Sequence, residues 1–492
     1  MRRWGTSSWR LLILAGLIAA LFVPQAAAGN GNGNGNGNGK IDRAVEALAD
    51  DAPSPATDLH VIVLGDDVAQ ARDDADAKLR HKLRAIDGEA MTVEADKLEK
   101  LAAHGGVDRI AIDSPVLPDT IGIPVSFPAL ATLYPKIIGM PTAWTGGYTG
   151  AGVGIAVLDS GVAAVADFGA RLTQVQLAGQ TSTGDTYGHG TFVAAVAAGS
   201  GLAGTYVGVA PGAKVYGLRV AGSDGNVYAS DVISGLDWVL ANHAQYNIRV
   251  VNLSLSEGTT SSYLASPLDT AVERVWRDGV VVVASAGNRG AGAISYAPAN
   301  DPFALTVGAT DANGTLSTGD DTVATFSSSG TTQDGFSKPD LLAPGRQITS
   351  ALPAGTTLAA QAPLTNLVAG GYATMSGTSF AAPQAAGAAA LLFEAHPAWT
   401  PDQVKAALLQ SAQSIGGGDK QLSVSSATSI SSAPNPVNQG LTQSSYGLDT
   451  TSTGTTNTAS WNTASWNTAS WNTASWNTAS WNTAAWNYSS WD

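Results

Sequence analysis

The chain has 492 residues, 44% of them apolar and 13% charged, with 56 glycines; this suits a tightly turned globular fold with accessory segments, not a disordered chain. Its 25 Lys and Arg against 39 Asp and Glu give a formal charge of −14, which repels nucleic acid and anionic lipid, so no nucleic-acid role is expected. With no cysteine, disulfides, thiolate metal sites and a cysteine nucleophile are all excluded.

The N-terminus runs from a basic MRRWGTSSWR into an apolar LLILAGLIAALFV and a small-residue AAAG, the pattern of an export signal over residues 1–28 with cleavage after Ala28. A secreted product, extracellular or associated with the cell surface, is expected. Residues 29–39, GNGNGNGNGNG, offer no side chain to pack and read as a flexible Gly/Asn tether. Residues 40–118 read as a small α+β unit. LHVIVL and VDRIAI have the composition of strands, whereas DDADAKLRHKLRAI and EADKLEKLAAHG place apolar residues at helical spacing. Residues 119–135, DTIGIPVSFPALATLYP, are broken by Gly and Pro and read as a connector.

From 136 to 416, short apolar runs alternate with helical patterns, as in an α/β domain with a parallel sheet covered on both faces. VGIAVLD, AKVYGLRV, IRVVNLSL, GVVVVASAGN and FALTVGAT are the strands; DVISGLDWVLANH and LDTAVERVWRDG carry the 3.6 period. The last helix starts at WTPDQVKAALLQ, with Thr400 as cap and Pro401 at the first helical position. Residues 417–492 are a low-complexity tail in which tryptophan recurs every five residues from Trp461 to Trp491. That period fits neither helix nor strand; the tail is disordered in isolation or an adhesive array whose indoles stack on a polysaccharide or cell surface.

His189 is one of six histidines, set between two glycines in YGHGTFVAAVAAG. A neutral imidazole relays a proton when a carboxylate holds it and a hydroxyl faces it. AVLDSGV places Asp159 at the carboxyl end of a buried strand, and MSGTSFAAPQAAGAAALLF places Ser379 at a helix start with Pro383 in the first turn. VVASAGN ends a further strand at Asn288, whose amide suits an oxyanion. Each piece alone has an ordinary structural explanation. The combination, in the chain order Asp, His, Asn, Ser, does not.

VLDSGV, GHGTFVA, ASAGN and SGTSFAAP resemble the signatures of the subtilisin-like serine proteases of the S8 family. The resemblance spans roughly 136–416 and implies a subtilisin-like three-layer domain with a central, mostly parallel sheet. It implies a serine-type endopeptidase in which Asp159 orients His189, His189 acts as general base then acid, Ser379 is the nucleophile and Asn288 the oxyanion donor. It also implies a substrate groove with Gly225, Asn226 and Val227 on one wall and Ser254, Leu255 and Ser256 on the other. Ala284, Ser285, Ala286 and Gly287 would form the floor of an open apolar first pocket. The 40–118 unit resembles the family's inhibitory propeptide, which implies that protein or peptide substrates and the chain's own propeptide compete for the groove.

Phe192 stands where many members carry a second histidine, and Ser256 and Glu257 where a glycine pair is frequent. Activity is expected to survive both, and Glu257 is expected to be a solvated rim acid rather than a selector of basic side chains. No cofactor is required for the chemistry. AAGSGLAGTYVG lacks the asparagines that many relatives use around calcium, so no metal ligand is assigned, though Asp167, Asp311, Asp320 and Asp321 leave room for a structural calcium elsewhere. An inert protease-like scaffold serving the tryptophan tail is the alternative from another class. An α/β-hydrolase esterase is excluded, because it needs Ser before Asp before His and a glycine where Ala381 stands.

Overall fold

The computed structural model describes residues 39–118, 133–177, 182–201, 206–220 and 227–444. The expected export signal, all of the tether but Gly39, most of the connector, Gly225, Asn226 and the Trp461–Trp491 repeats lie outside the described residues.

The larger unit is built on a ten-stranded sheet. From one edge its strands are Gln413–Ser414, Lys420–Gln421, Leu341–Pro344, Leu305–Asp311, Val281–Ser285, Ile248–Leu253, Gly154–Asp159, Lys214–Arg219 and Leu172–Val175. Neighbours from Lys420–Gln421 to Leu172–Val175 are all parallel. Thr322–Val323 pairs antiparallel on Leu305–Asp311. The five expected strands all form. They read as unbroken apolar runs because helices cover both faces: His189–Ala198 packs with Thr378–Ala395 in one layer, and Ala229–Tyr246 with Pro267–Arg277 in the other. The Thr378–Ala395 helix is buried all round from Thr378 to Phe393, which explains its run of alanines without a polar face. Thr400 caps Pro401–Ser411 in a capping box with Gln403.

The packed unit runs past residue 416. Lys420–Gln421 adds to the sheet, Leu422, Val424 and Ala427 enter the core, and the amide of Ser444 donates to both carboxylate oxygens of Glu273 at 3.0 Å.

Residues 39–118 form a four-stranded antiparallel sheet in the order Lys78–Leu83, Gly88–Glu94, Asp58–Leu64, Arg109–Ile112, with helices Arg43–Asp50, Val68–Asp74 and Leu98–Ala103. In LHVIVL, Val61 and Val63 face this unit's own core, while Ile62 and Leu64 join the core of the larger unit. That two-sided burial makes the strand continuously apolar. The helical reading of 73–86 is corrected: the helix stops at Asp74, and Lys78–Leu83 is an edge strand with only Leu83 fully buried. His81 Nε2 lies 2.8 Å from Asp231 of the larger unit, and Arg80 pairs with Asp113 of its own unit. The amides of Arg84 and Ala85 donate to Asp237 at 2.8 and 2.5 Å.

Candidate active site

Asp159 is the last residue of strand Gly154–Asp159, and His189 the first of helix His189–Ala198. His189 Nδ1 lies 2.8 and 3.0 Å from the two carboxylate oxygens of Asp159, and both side chains are buried. The imidazole ring stands 5.8 Å from the ring of Phe380, the residue after Ser379, so the histidine sits at the first turn of the serine helix. Phe192 packs 4.4 Å from the same Phe380 ring, an aromatic contact at the position where relatives often carry histidine.

The glycines flanking His189 are required. Gly188 has φ +105°, and a Cβ on Gly190 would lie 2.1 Å from the carbonyl oxygen of Gly161 and 2.9 Å from Asp159 Cβ. Asp185 supplies what the glycines cannot. Its Oδ1 accepts from the amides of Tyr187 (3.1 Å) and Gly188 (2.6 Å) and from Ser160 Oγ (2.9 Å); its Oδ2 accepts from the amide and hydroxyl of Thr191 (2.8 and 2.6 Å). These are the donors a helix start leaves without partners, so Asp185 anchors the histidine helix to the residue after Asp159. Burial raises its carboxyl above the ordinary range, against the pull of those donors. Sequence reasoning missed Asp185, whose only signal was an Asp shortly before a helix start.

Ser379 lies in the first turn of Thr378–Ala395, and its Oγ donates to the carbonyl of Ser254 at 3.2 Å. Pro383 is inside this helix rather than in its first turn, which corrects the expectation. Lacking an N–H, it leaves the carbonyl of Ser379 without its intrahelical donor, and Ser254 Oγ donates there instead at 2.9 Å. Asn252 Nδ2 in turn donates to Ser254 Oγ at 2.9 Å. Asn288 accepts from the amide and hydroxyl of Thr378 through its Oδ1, both at 3.0 Å. Among the described residues its buried Nδ2 has no hydrogen-bond partner, a donor aimed at nothing the protein provides.

Val227, the described residue of the first expected wall, and the second expected wall both pair with residues 115–118. Leu255–Glu257 pairs antiparallel with Val116–Pro118 in the register Leu255↔Pro118, Ser256↔Leu117, Glu257↔Val116. On the other side the amide of Val116 donates to the carbonyl of Val227 at 2.7 Å, and Pro115 bridges Tyr228. Residues 115–118 thus lie as a strand between the walls, ending beside Ser254.

Two expectations for the pocket change. Ala284 is buried in its strand and Gly287 turns at φ +95°, but the floor is not open and apolar. A Cβ on Gly287 would come within 3.2 Å of Nη1 of Arg289. That guanidinium donates to Ser256 Oγ (2.9 Å) and the carbonyl of Glu257 (3.2 Å), and stacks 4.0 Å from the centre of the Tyr296 ring. Glu257 is not a solvated rim acid: it is 4% exposed, and burial pushes its carboxyl up to about 8, with Asp113 adding repulsion. Its strand partner Val116 and the Ala297 carbonyl that accepts from its amide come from distant parts of the chain.

Among the described residues no group of three or more His, Asp or Glu side chains is arranged to hold a metal ion. Asp167 accepts from the Tyr372 hydroxyl, Asp311 pairs with Arg346, Asp320 accepts from Thr315 and Asp321 from Gln421. No helix among the described residues is long and apolar enough to cross a membrane.

A parallel sheet that delivers a carboxylate-held imidazole and a helix-start serine to one edge, next to an unsatisfied amide, defines a hydrolase of the serine-protease class. The Subtilase family (peptidase S8) model matches residues 150–469. Subtilisin Savinase of Lederbergia lenta is 37% identical over 276 residues, covering 56% of this chain and 89% of that protein. M-protease of Shouchella clausii is 31% identical over 357 residues, covering 72% and 82%. Serine protease AprX of Bacillus subtilis is 39% identical over 272 residues, covering 52% and 60%. The crystal structure of fervidolysin from Fervidobacterium pennivorans, a keratinolytic enzyme related to subtilisin, shares the fold, with a TM-score of 0.59 at 24% identity over 77% of this chain and 62% of that one. This chain belongs to the Subtilase family and is a subtilisin-like serine endopeptidase, with protein or peptide substrates.

Proposed function

We propose that the chain is made as an exported precursor, that Ser379, His189, Asp159 and Asn288 are its catalytic machinery, and that it matures by cutting away residues 40–118. The single observation that carries this reading is strand 115–118, held by main-chain hydrogen bonds between the Val227 and Leu255–Glu257 walls in the manner of a bound peptide. The folded 39–118 unit behind it acts as inhibitor. Export rests on the N-terminal signal pattern.

In the proposed chemistry, His189 takes the proton from Ser379 Oγ as that oxygen attacks the scissile carbonyl. Asp159, on Nδ1, fixes the ring's orientation and stabilises the imidazolium that forms. The developing oxyanion is met by Asn288 Nδ2 and by the amide of Ser379, which in the first helical turn has no intrahelical acceptor. His189 then gives its proton to the departing amine. Water, deprotonated by His189 in the second half, releases the acyl group and restores Ser379. No metal enters these steps.

The test compares the precursor with its Ser379→Ala form. The parent is expected to lose the N-terminal unit and digest casein, and the variant to do neither. Equal processing and digestion by the variant would sink the assignment.

A further inference from the structure

Arg289 follows the oxyanion residue Asn288 directly, and its guanidinium lies over Gly287 where the first pocket was expected to be open. Its guanidinium contacts a serine hydroxyl, a backbone carbonyl and an aromatic face. Among the described residues no carboxylate lies within ion-pair distance of it. Glu257 does not supply one, because successive side chains on a strand point to opposite faces and it is Ser256 that reaches Arg289. The pocket therefore holds a cation with hydrogen-bonding capacity to spare.

The strand already seated in the groove says which substrate residue meets it. Leu117 is directly opposite Ser256, and directly opposed residues of an antiparallel pair share a face. A peptide residue two places after the one at Leu117 returns to that face, the one where Ser256 Oγ holds Arg289, and stands opposite Ser254, next to Ser379.

We propose that Arg289 is the specificity-determining residue of this peptidase and that its first pocket takes an acidic side chain, aspartate foremost. The inference rests on the peptidase reading above and extends it to substrate class. A guanidinium binds a carboxylate through paired, charge-assisted hydrogen bonds, and one lying across the pocket floor leaves depth for a short side chain rather than a long or aromatic one.

The experiment uses the matured enzyme and a set of internally quenched peptides that differ only before the scissile bond, as Asp, Glu, Asn, Leu, Phe or Lys, with each bond mapped by mass spectrometry. Asp is expected to exceed its isostere Asn by about tenfold or more in kcat/KM. Arg289→Ala should bring that ratio near one, and Arg289→Glu should invert it in favour of Lys. The parent's own ranking of the peptides tests the idea even if Arg289 variants fold poorly. Preference for Phe or Leu over Asp, or an Asp/Asn ratio unchanged by removing Arg289, would overturn the proposal while leaving the peptidase reading in place; absence of cleavage from every peptide would overturn both.

Discussion

The hydroxyl of Ser254 donates at 2.9 Å to the carbonyl of Ser379, the acceptor that Pro383 leaves without an intrahelical partner. One residue of the proposed groove wall thereby holds the helix turn that carries the proposed nucleophile. Ser254→Ala leaves that buried carbonyl unsatisfied and frees Asn252 Nδ2 as well, at a cost of about 1–3 kcal/mol. The variant should unfold at lower denaturant and lose kcat more than it gains KM, because the displaced part is the attacking oxygen rather than the peptide strand. An unaltered midpoint would mean that water replaces the hydroxyl.

Gly190→Ala tests the close approach that lets His189 reach Asp159. The added methyl meets a backbone oxygen at 2.1 Å, and neither Gly161 nor Asp159 is a flexible end that could move aside. A loss of about 3 kcal/mol or more is expected, together with loss of casein hydrolysis. Chemical denaturation and activity are both measured; a stable, active variant would show that the helix start shifts freely.

The proposed catalytic residues stand out in the sequence because each is local: Asp159, His189, Asn288 and Ser379 sit in short glycine-marked turns at element ends, and the turn chemistry is written next to the residue. The central strands were legible as apolar runs because both faces are buried. What supports the site was not. Asp185, the Ser254 hydroxyl and Arg289 act through partners 25 to 125 residues away or across a turn, with no periodicity to announce them. The burial of Glu257 is illegible for the same reason, since its backbone partners Val116 and Ala297 are distant in sequence. The edge strand Lys78–Leu83 reads as helix because an irregularity between Leu79 and His81 breaks the alternation that marks a strand.

Glu257 also gives the protein a pH signature. Its folded-state value, about 8, exceeds the ordinary 4.5, so the neutral carboxyl's contribution is complete below about pH 4.5 and is lost as pH rises through 8. Glu257→Gln keeps a neutral side chain throughout. Measured in the Ser379→Ala background to prevent self-digestion, the variant should melt higher than the parent at pH 9, by on the order of a few kcal/mol, and close to it at pH 4. Parallel melting curves from pH 4 to 9 would show the carboxylate to be solvated after all.

The N-terminal unit is held to the larger one by Asp113, whose buried carboxylate accepts from the amide (2.9 Å) and hydroxyl (2.6 Å) of Ser230 in the first turn of helix Ala229–Tyr246 and pairs with Arg80. Burial pushes this carboxyl up to about 6 from 3.8, while Arg80 pulls it back down and Asp231 adds repulsion. Because the docked value is the higher one, the group favours docking most below pH 3.8 and loses that contribution as pH rises through 6. Arg80→Ala removes the countercharge and raises the docked value further. Release of the cleaved unit should therefore quicken by roughly tenfold at pH 8, where Asp113 must stay charged beside Asp231, and much less at pH 5, where it takes up a proton. Gel filtration of the nicked protein at the two pH values reads the difference directly. An equal effect at both would mean that Arg80 acts through Asp231, 3.8 Å away, or through its packing 4.4 Å over the Tyr228 ring, and not through Asp113.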